Sequence, residues 1–455
     1  MNSPLPKVLH PVAGQPMIRR VIEGAKKAGA KEVRVVLGFG ENLVRPVIES
    51  LGATGFRQQN QWGTADAVRA AQPESLEGLV VILNGDHPLI ESRDLEHFVK
   101  SFDQGSADLA VVSCELKEPG HYGRIVRHRD QVQAIVEARD ASHDTLKVRE
   151  INTGIYVLRA ELLNELLPKI QSHNAQKEFY LTDLVSLALE EGLKVEAIKA
   201  PRHVAYGVNT QAELAKVTRK IFKRKARALL ESGVILVDPS ATYIEDEVEV
   251  GPGTVVYPGA FILGKTSIGR FCVLEPNVYI HSCEISDSVR LKGGSYLEDS
   301  KIGEGSQVGP YARLRPESSL GRETKVGNFV ELKKARLGDR SKASHLTYLG
   351  DAEIGEDSNI GCGTITCNYA ADRKKYKTKI GRGVFVGSDT QFVAPIEVGD
   401  GAVIGSGSTI TKDVPAGGLA VARGRQRNIE NYSPRSPAEV REVSAADKKS
   451  GEREK

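Results

Sequence analysis

The stretch Val250-Gly-Pro-Gly-Thr-Val-Val256-Tyr-Pro-Gly-Ala-Phe-Ile262-Leu-Gly-Lys-Thr-Ser-Ile268-Gly decides the fold of the second half of this chain. An aliphatic residue recurs at every sixth position. The same period continues to Leu274 and Ile280. After a shift of one residue it resumes at Ile285, Leu291 and Leu297, and after a further shift at Val308, Leu314, Leu320, Val326 and Leu332. A last set is Ile380, Val386, Phe392, Val398, Ile404 and Ile410. A period of six fits neither a helix nor an alternating strand, and it is typical of a parallel β-helix with one hexapeptide on each flat face. We therefore predict a left-handed parallel β-helix over residues 233–425.

Residues 1–210 follow a different pattern, in which short apolar runs alternate with amphipathic stretches. The apolar runs predict buried strands at 33–37, 79–83 and 109–112, and the amphipathic stretches predict helices at 17–28 and 64–71. This alternation favours an α/β domain that is Rossmann-like, with a mostly parallel sheet whose ligands bind at the carboxyl ends of the strands.

The two halves are joined by a stretch, 211–232, that predicts one long helix rich in lysine and arginine. A basic helix can bind nucleic acid or a membrane surface, but a solvated linker helix between domains is the simpler interpretation. The polar, charged tail over 426–455 is predicted to be disordered. The chain is thus divided into 1–210, a linker helix, the β-helix domain and the tail.

Bulk composition excludes several classes of protein. A chain of 455 residues is too long for one core, and a net charge of +3 does not by itself indicate nucleic acid as a partner. The five cysteines form no CxxC pair, which favours reduced thiols and a cytoplasmic location. The sequence contains neither a membrane-length apolar run nor a targeting pattern at its N-terminus, so we expect no membrane partner.

Polar motifs in the first domain follow its predicted strands and turns. They are Leu5-Pro-Lys-Val-Leu-His10, Gln58-Gln-Asn-Gln-Trp-Gly-Thr-Ala-Asp-Ala67 and Asn84-Gly-Asp-His-Pro-Leu89. Because Asp86 follows a buried strand, its carboxylate is well placed to hold Mg²⁺ beside phosphate groups. Taken singly, Lys7 could also be a solvated side chain and Asp86 a turn residue.

Further motifs follow in the same domain: Tyr122-Gly-Arg124, Ile135-Val-Glu137, Glu150-Ile-Asn-Thr-Gly-Ile155, Glu178-Phe-Tyr-Leu-Thr-Asp183 and Gly207-Val-Asn209. As an ordered set, these motifs resemble the sugar-phosphate nucleotidyltransferase family, and more narrowly its N-acetylglucosamine-1-phosphate uridylyltransferase domains. The resemblance implies that Lys7 neutralises phosphate charge. It also implies a uracil site at Gln58, Gly63 and Thr64, Mg²⁺ ligands at Asp86 and Asn209, and an amino-sugar site at Gly123, Glu137 and Asn152.

The first domain departs from this family in two places. The family opens with a strand and a Gly-rich turn of the type Leu-Ala-Ala-Gly-x-Gly-Thr-Arg, whose backbone N–H groups bind nucleotide phosphates. This sequence starts just after that segment, so either the start was assigned too late or the phosphate loop is missing. In the second case, we expect little uridylyl transfer. Asp66 stands where the family usually has histidine, which puts a base or ribose contact in doubt.

The hexapeptide pattern of the second domain is interrupted by its most polar segments. These are Tyr311-Ala-Arg-Leu-Arg-Pro316, Gly327-Asn-Phe-Val-Glu-Leu-Lys-Lys334, Lys342-Ala-Ser-His-Leu-Thr-Tyr-Leu-Gly-Asp351 and Asn359-Ile-Gly-Cys-Gly-Thr-Ile-Thr-Cys-Asn-Tyr369. A β-helix needs only small or aliphatic residues, so these segments indicate a site, although polar ladders and a loop over 368–378 are the alternative. His345 is the best candidate for a general base, since an imidazole has an ordinary pKa of about 6.5.

This part of the chain resembles the acetyltransferase half of the same bifunctional family. The resemblance implies that His345 accepts a proton from the glucosamine amine and that Arg315 and Lys333 bind the sugar phosphate. It further implies a sugar site at Tyr348, Asn359 and Lys375 and an acetyl-CoA path at Cys362, Ser388, Ser406 and Arg423. Cys362 and Ser406 stand where alanine is usual, and we expect both changes to be tolerated.

Three functional hypotheses follow. The first is a bifunctional enzyme that acetylates glucosamine 1-phosphate with acetyl-CoA and then transfers uridylyl from UTP to N-acetylglucosamine 1-phosphate, with Mg²⁺ as cofactor. The second is an acetyltransferase alone, with an inactive first domain. The third, a non-catalytic hexapeptide-repeat assembly protein, predicts apolar or random residues around His345, where the sequence has clustered polar motifs. The resemblance also implies a homotrimer with active sites at subunit contacts.

Overall fold

The structure is a computed structural model that describes residues 1–172, 177–430 and 432. It contains two compact units, Met1–Glu323 and Thr324–Lys455. The predicted domain boundaries at 210, 232 and 425 remain predictions. Most of the tail that was predicted to be disordered, residue 431 and residues 433–455, lies outside the described residues.

Helices and short strands alternate through the first part of unit 1. The helices of the described chain are α1 (Met17–Lys27), α2 (Glu41–Ser50), α3 (Thr64–Ala70), α4 (Ser92–Gln104), α5 (His143–Leu146), α6 (Ala160–Leu166), α7 (Asp183–Glu190) and α8 (Gln211–Glu231). The strands before α8 are β1 (Pro11–Val12), β2 (Gln15–Pro16), β3 (Arg34–Leu37), β4 (Thr54–Arg57), β5 (Leu79–Ile82), β6 (Leu109–Glu115), β7 (Arg124–His128), β8 (Gln131–Val136), β9 (Glu150–Arg159) and β10 (Val195–Lys199). The predicted helices are confirmed as α1 and α3, and the predicted strands as β3, β5 and β6.

The main sheet of this part is mixed. Its order is β10-β6-β9-β7-β8, and β5 pairs with β9. Only β10 and β6 are parallel neighbours, whereas β9 runs antiparallel to β5, β6 and β7, and β7 runs antiparallel to β8. The α/β class is confirmed, but the expected mostly parallel pairing is wrong for this sheet. Apolar runs indicate burial and not direction, and the turn Arg129-Asp130, with φ of 48° and 68°, reverses the chain between β7 and β8.

Strand β6 separates two apolar cores. Leu109 and Val111 pack in a cluster with residues of α6 and α7, whereas Ala110 and Val112 pack in a second cluster with Phe98 of α4. Because successive side chains of a strand point to opposite faces, burial on both faces explains the unbroken apolar run in the sequence. Polar side chains are therefore left to the loops at the ends of the strands.

The long helix predicted over 211–232 is confirmed as α8. A capping box begins it, in which Thr210 accepts from the backbone N–H of Glu213 and Glu213 accepts from that of Thr210. Its buried residues Val217 and Ile221 pack with Val12 of β1. None of the helices in the described residues is both long and apolar enough to cross a membrane.

The rest of unit 1 consists of short parallel strands in three stacked sets. They are β11 (Ile235–Leu236), β12 (Tyr243–Ile244), β13 (Glu249–Val250), β14 (Val255–Val256), β15 (Phe261–Leu263), β16 (Ser267–Ile268), β17 (Val273–Leu274), β18 (Tyr279–His281), β19 (Glu284–Ile285), β20 (Arg290–Leu291), β21 (Tyr296–Glu298), β22 (Ser300–Ile302), β23 (Gln307–Val308), β24 (Arg313–Leu314) and β25 (Ser318–Leu320). Val256 pairs with Leu274, which completes a coil of three hexapeptides, whereas Ile268 pairs with Ile285 over a coil that is shorter by a single position. The one-residue shifts in the sequence are therefore shortened coils of the left-handed β-helix that was predicted.

Unit 2 has the same architecture. Its strands are β26 (Lys325–Asn328), β27 (Glu331–Lys333), β28 (Arg336–Leu337), β29 (Lys342–His345), β30 (Tyr348–Gly350), β31 (Ala352–Ile354), β32 (Asn359–Ile360), β33 (Ile365–Cys367), β34 (Thr378–Ile380), β35 (Phe385–Val386), β36 (Gln391–Val393), β37 (Ile396–Val398), β38 (Val403–Ile404), β39 (Thr409–Ile410) and β40 (Leu419–Ala420). The aliphatic residues of the six-residue repeat point inward, as Leu332 and Ile404 do. The polar residues between β33 and β34 form the predicted loop.

Candidate functional sites

Lys7, Asp86 and Asn209 meet at one point of unit 1. The Nζ of Lys7 donates to Oδ2 of Asp86 at 2.5 Å and to Oδ1 of Asn209 at 2.8 Å. Asp86 lies in the turn after β5, and Asn209 lies just before α8. The three residues are far apart in the sequence, and the fold brings their side chains together.

The same residues fit a divalent cation. The side-chain oxygens of Asp86 and Asn209 converge on one cationic group, the ammonium of Lys7, which stands in for a positive ion at this position. One carboxylate and one amide oxygen suit Mg²⁺, which prefers oxygen ligands and completes its shell with water and substrate phosphates. The described residues contain no cluster of three or more His, Cys, Asp and Glu side chains for a metal held by protein alone.

Gln58, Gly63 and Thr64 line an open cleft in unit 1. The orientation of the Gln58 side chain is fixed by a hydrogen bond, in which its Nε2 donates to Oδ2 of Asp66 at 2.8 Å. Gly63 has a φ of 119°, and a Cβ there would lie 2.5 Å from the backbone oxygen of Phe179, so only glycine fits. The hydroxyl of Thr64 accepts from the backbone N–H of Leu181 at 2.9 Å and thereby fixes the start of α3.

Of the predicted amino-sugar residues, Glu137 belongs to the lining of this cleft. A Cβ on Gly123 would lie 3.3 Å from the carboxylate of Glu137, so the two residues are neighbours. Burial, followed by the nearby carboxylates of Asp140 and Asp183, raises the pKa of Glu137. The buried amide of Asn152 is instead used internally, since it donates to the hydroxyl of Tyr156 at 2.9 Å and accepts from the Gly154 N–H.

Three residues that were not predicted from the sequence also line the cleft, namely His121, Arg139 and Tyr180. Arg139 follows Glu137 by two positions, and Tyr180 belongs to the motif that ends at Asp183, so both lie beside predicted residues in the sequence. A cationic guanidinium and a phenol beside a carboxylate suit a sugar phosphate, which presents both hydroxyl groups and negative charge.

His345 ends strand β29 of unit 2, and its side chain is exposed. Its Nδ1 lies 2.7 Å from Oδ1 of Asn328, which is its partner in the neighbouring strand β26. Asn328 was not predicted as a functional residue. It precedes His345 by one shortened coil of the β-helix, and that spacing is the signal in the sequence that could have identified it.

Residues of the predicted acetyl-CoA path form a column with His345. The register aligns Val326, Ala343, Ile360, Val386 and Ile404 across the strands β26, β29, β32, β35 and β38. Two positions after each of these inward residues stand, in order, Asn328, His345, Cys362, Ser388 and Ser406. Because parallel strands lie about 4.8 Å apart, the three steps from His345 to Ser406 span about 14 Å. At the far end, Arg423 donates to the backbone oxygen of Ser406 at 3.0 Å.

Other predicted sugar residues lie around this column in unit 2. Lys333 pairs in register with Gly350, and the hydroxyl of Tyr348 turns toward that same glycine. Asn359 begins β32, the strand next to the one that ends at His345. Lys375 lies in the loop between β33 and β34, where its backbone forms an isolated antiparallel β-bridge with that of Tyr369.

Arg315, the remaining predicted phosphate ligand, follows β24 in unit 1. Its backbone carbonyl accepts from the hydroxyl of Ser300 at 3.3 Å.

Comparison with known proteins decides the family. Over 436 residues the chain is 61% identical to the bifunctional protein GlmU of Bdellovibrio bacteriovorus, covering 96% of this chain and 95% of that protein. The chain belongs to the bifunctional GlmU family. Other GlmU relatives are those of Pelobacter propionicus, 46% identical over 95% of each chain, and of Carboxydothermus hydrogenoformans, 42% identical over 95% of this chain and 97% of that protein.

Family models match both halves of this GlmU-family chain. Residues 1–151 match the MobA-like NTP transferase domain, residues 243–337 the GMPPB C-terminal domain, and residues 377–412 the bacterial transferase hexapeptide of six repeats. A solved apo UDP-glucose pyrophosphorylase is 14% identical and aligns with a TM-score of 0.39 over 48% of this chain and 91% of its own, which is too slight a likeness to carry an argument.

Family membership confirms the predicted enzyme class. The chain is a bifunctional transferase with a nucleotidyltransferase domain and a hexapeptide-repeat acetyltransferase domain, which supports the bifunctional hypothesis over an acetyltransferase alone. The GlmU family implies nucleotide and sugar-phosphate substrates, acetyl-CoA and a divalent metal ion.

Proposed function

We propose that this enzyme makes UDP-N-acetylglucosamine in two steps. It first acetylates glucosamine 1-phosphate with acetyl-CoA, and it then transfers uridylyl from UTP to N-acetylglucosamine 1-phosphate with release of pyrophosphate. The column from His345 to Ser406 is the observation that carries the first step, because it sets an imidazole at one end of a polar line about 14 Å long.

In the acetyl-transfer step, His345 is the general base. Its Nε2 accepts a proton from the amine of the sugar as the amine nitrogen attacks the thioester carbon of acetyl-CoA. The new C–N bond forms while the C–S bond breaks, and the thiolate of CoA leaves and takes up a proton. Lys333 binds the sugar phosphate, and Tyr348, Asn359 and Lys375 bind the sugar. Cys362, Ser388, Ser406 and Arg423 line the path of CoA.

The predicted role of Arg315 as a second phosphate ligand rests on the family resemblance. An arginine suits this role because its guanidinium can bind a phosphate through two parallel hydrogen bonds.

In the uridylyl-transfer step, an oxygen of the sugar 1-phosphate attacks the α-phosphorus of UTP, and pyrophosphate leaves with the bonding electrons. Lys7 neutralises phosphate charge, while Gln58, Gly63 and Thr64 hold the uracil. Mg²⁺, held by Asp86 and Asn209, supplies charge neutralisation at the phosphates when it is bound. Gly123, Glu137 and Asn152 hold the amino sugar, and Asn152 does so through the strand it orders, because its side chain is already hydrogen-bonded.

We assign the enzyme to the cytoplasm as a homotrimer, without a nucleic-acid or membrane partner. Phe329 and Leu346, which directly follow Asn328 and His345, are each 58% exposed. Both hold a positive φ, 57° and 44°, that bulky residues rarely adopt. Two strained, exposed apolar side chains beside the column suit a surface that another copy of the chain covers.

One pair of variants tests the proposal. In His345→Ala, thiol release from acetyl-CoA with glucosamine 1-phosphate should fall to background, while pyrophosphate release from UTP with N-acetylglucosamine 1-phosphate should stay at the wild-type rate. The control is His143→Ala, since the side chain of His143 is 87% exposed and His143 belongs to unit 1, far in sequence from His345 in unit 2. Wild-type thiol release from His345→Ala would remove His345 as the base.

A further inference from the structure

The side chain of Asn328 forms a hydrogen bond with the imidazole ring of His345. The two residues are register partners on the adjacent parallel strands β26 and β29, and Oδ1 of Asn328 lies 2.7 Å from Nδ1 of His345. An amide oxygen can only accept, so the ring must donate, and the proton of the neutral imidazole resides on Nδ1. We propose that Asn328 is a positioning residue that fixes the tautomer and the orientation of His345 for acetyl transfer. This inference rests on the proposed role of His345 as general base.

The tautomer matters because a neutral imidazole has one N–H and one lone pair. With the proton on Nδ1, the lone pair is on Nε2, the nitrogen on the far side of the ring from Asn328. Without an acceptor at Nδ1, the ring can also carry its proton on Nε2, where it cannot accept another from the amine. An unheld ring can rotate as well, so both effects lower the fraction of enzyme that is competent as a base.

The backbone on either side of the pair fixes this contact. Just before it, Gly327 approaches Ser344 so closely that a Cβ on Gly327 would lie 2.6 Å from the carbonyl carbon of Ser344. Just after it, the backbone N–H of Leu346 donates to the carbonyl oxygen of Asn328 at 3.0 Å. Because the two strands are held together on both sides of the pair, the side chains of Asn328 and His345 are placed by the rungs of the β-helix and not by a flexible loop.

The decisive comparison is between two variants at Asn328. Asn328→Leu keeps the approximate size and removes the acceptor, so kcat for acetyl transfer should fall about 10- to 100-fold, with KM for glucosamine 1-phosphate little changed. Asn328→Asp keeps an acceptor at the same place and should recover most of the lost kcat. Lys325→Leu, an exposed residue on the same strand, is the matched control and should keep wild-type kcat.

Nitrogen NMR of histidine-labelled enzyme reports the tautomer of His345 directly. If Asn328 had only a structural role, its replacement would leave the ring nitrogen shifts unchanged. In the wild type, the two ring nitrogens of His345 should show one protonated Nδ1 and one unprotonated Nε2. In Asn328→Leu the two shifts should move toward each other as the tautomers mix. Asn328→Ala repeats both measurements if the leucine variant has a lowered melting temperature.

The outcomes separate this inference from the proposed function. Unchanged kcat in a folded Asn328→Leu or Asn328→Ala enzyme, or unchanged ring nitrogen shifts, would overturn the role of Asn328. If His345→Ala abolishes acetyl transfer and Asn328→Leu does not lower it, the inference fails and His345 stands as the base. If His345→Ala keeps wild-type turnover, the proposed function of this site fails before Asn328 is considered.

Discussion

Replacing Gly327 by alanine should separate the two strands that form the acetyl-transfer site. The added Cβ would lie 2.6 Å from the carbonyl carbon of Ser344 and closer still to its oxygen, and both are backbone atoms that cannot rotate away. Reaching an ordinary carbon–carbon separation of about 3.5 Å requires a movement of at least about 0.9 Å, and relief of the shorter contact with the oxygen requires more. A movement of this size would stretch the 2.7 Å contact between Asn328 and His345 to about 3.6 Å or more, beyond hydrogen-bonding range.

Two losses should follow from this movement. Overpacking of this kind costs about 1–3 kcal/mol of unfolding free energy. Loss of the histidine contact should lower kcat for acetyl transfer by about 10- to 100-fold. Uridylyl transfer should be unchanged, because Asp86 and Gln58 belong to unit 1 and Gly327 to unit 2.

The assay follows thiol release and pyrophosphate release on one preparation, together with a denaturant titration. The control is Gly383→Ala, because Gly383 has a φ of 62° and no atom within 4 Å of its Cβ position. An alanine there costs about 1–2 kcal/mol for the left-handed backbone without moving the strands at His345. Gly327→Ala with wild-type stability and full acetyl transfer would refute the close-approach reasoning.

Two further predictions concern the first domain. Asp86→Ala removes one of the two oxygens that face the Lys7 ammonium. Mg²⁺-dependent pyrophosphate release should therefore fall at least about 100-fold, while thiol release should stay at the wild-type rate. An unchanged Mg²⁺ dependence would exclude Asp86 as a ligand. Burial raises the pKa of Glu137 in the folded protein above its pKa in the unfolded chain. As pH rises from the unfolded pKa through the folded pKa, ionisation of Glu137 therefore lowers the free energy of unfolding. Glu137→Gln should therefore unfold at a higher urea concentration than the wild type at pH 7, and the difference should vanish toward about pH 4. A constant difference across that pH range would contradict the reasoning.

Much of the candidate site could be found in the sequence, because its residues lie in local motifs. Lys7, Asp86 and Asn209 were predicted from three separate motifs, and the structure brings them together. Other roles could not be seen. The amide of Asn152 donates to Tyr156, and Asp66 accepts from the amide of Gln58. These contacts depend on the direction and distance of side chains, which sequence motifs do not encode.

The six-residue period was enough to predict the β-helix, since an inward position at every sixth residue leaves an extended chain one way to bury its aliphatic side chains. The polar segments that interrupt this period predicted a site there. Which polar residues are neighbours follows from the three-dimensional fold and not from the period. Full and shortened coils, and the inserted loop between β33 and β34, fix the register that stacks Asn328, His345, Cys362, Ser388 and Ser406. The directions of the strands in the first sheet could not be predicted from the sequence either, because a buried strand is apolar whether it runs parallel or antiparallel to its neighbours.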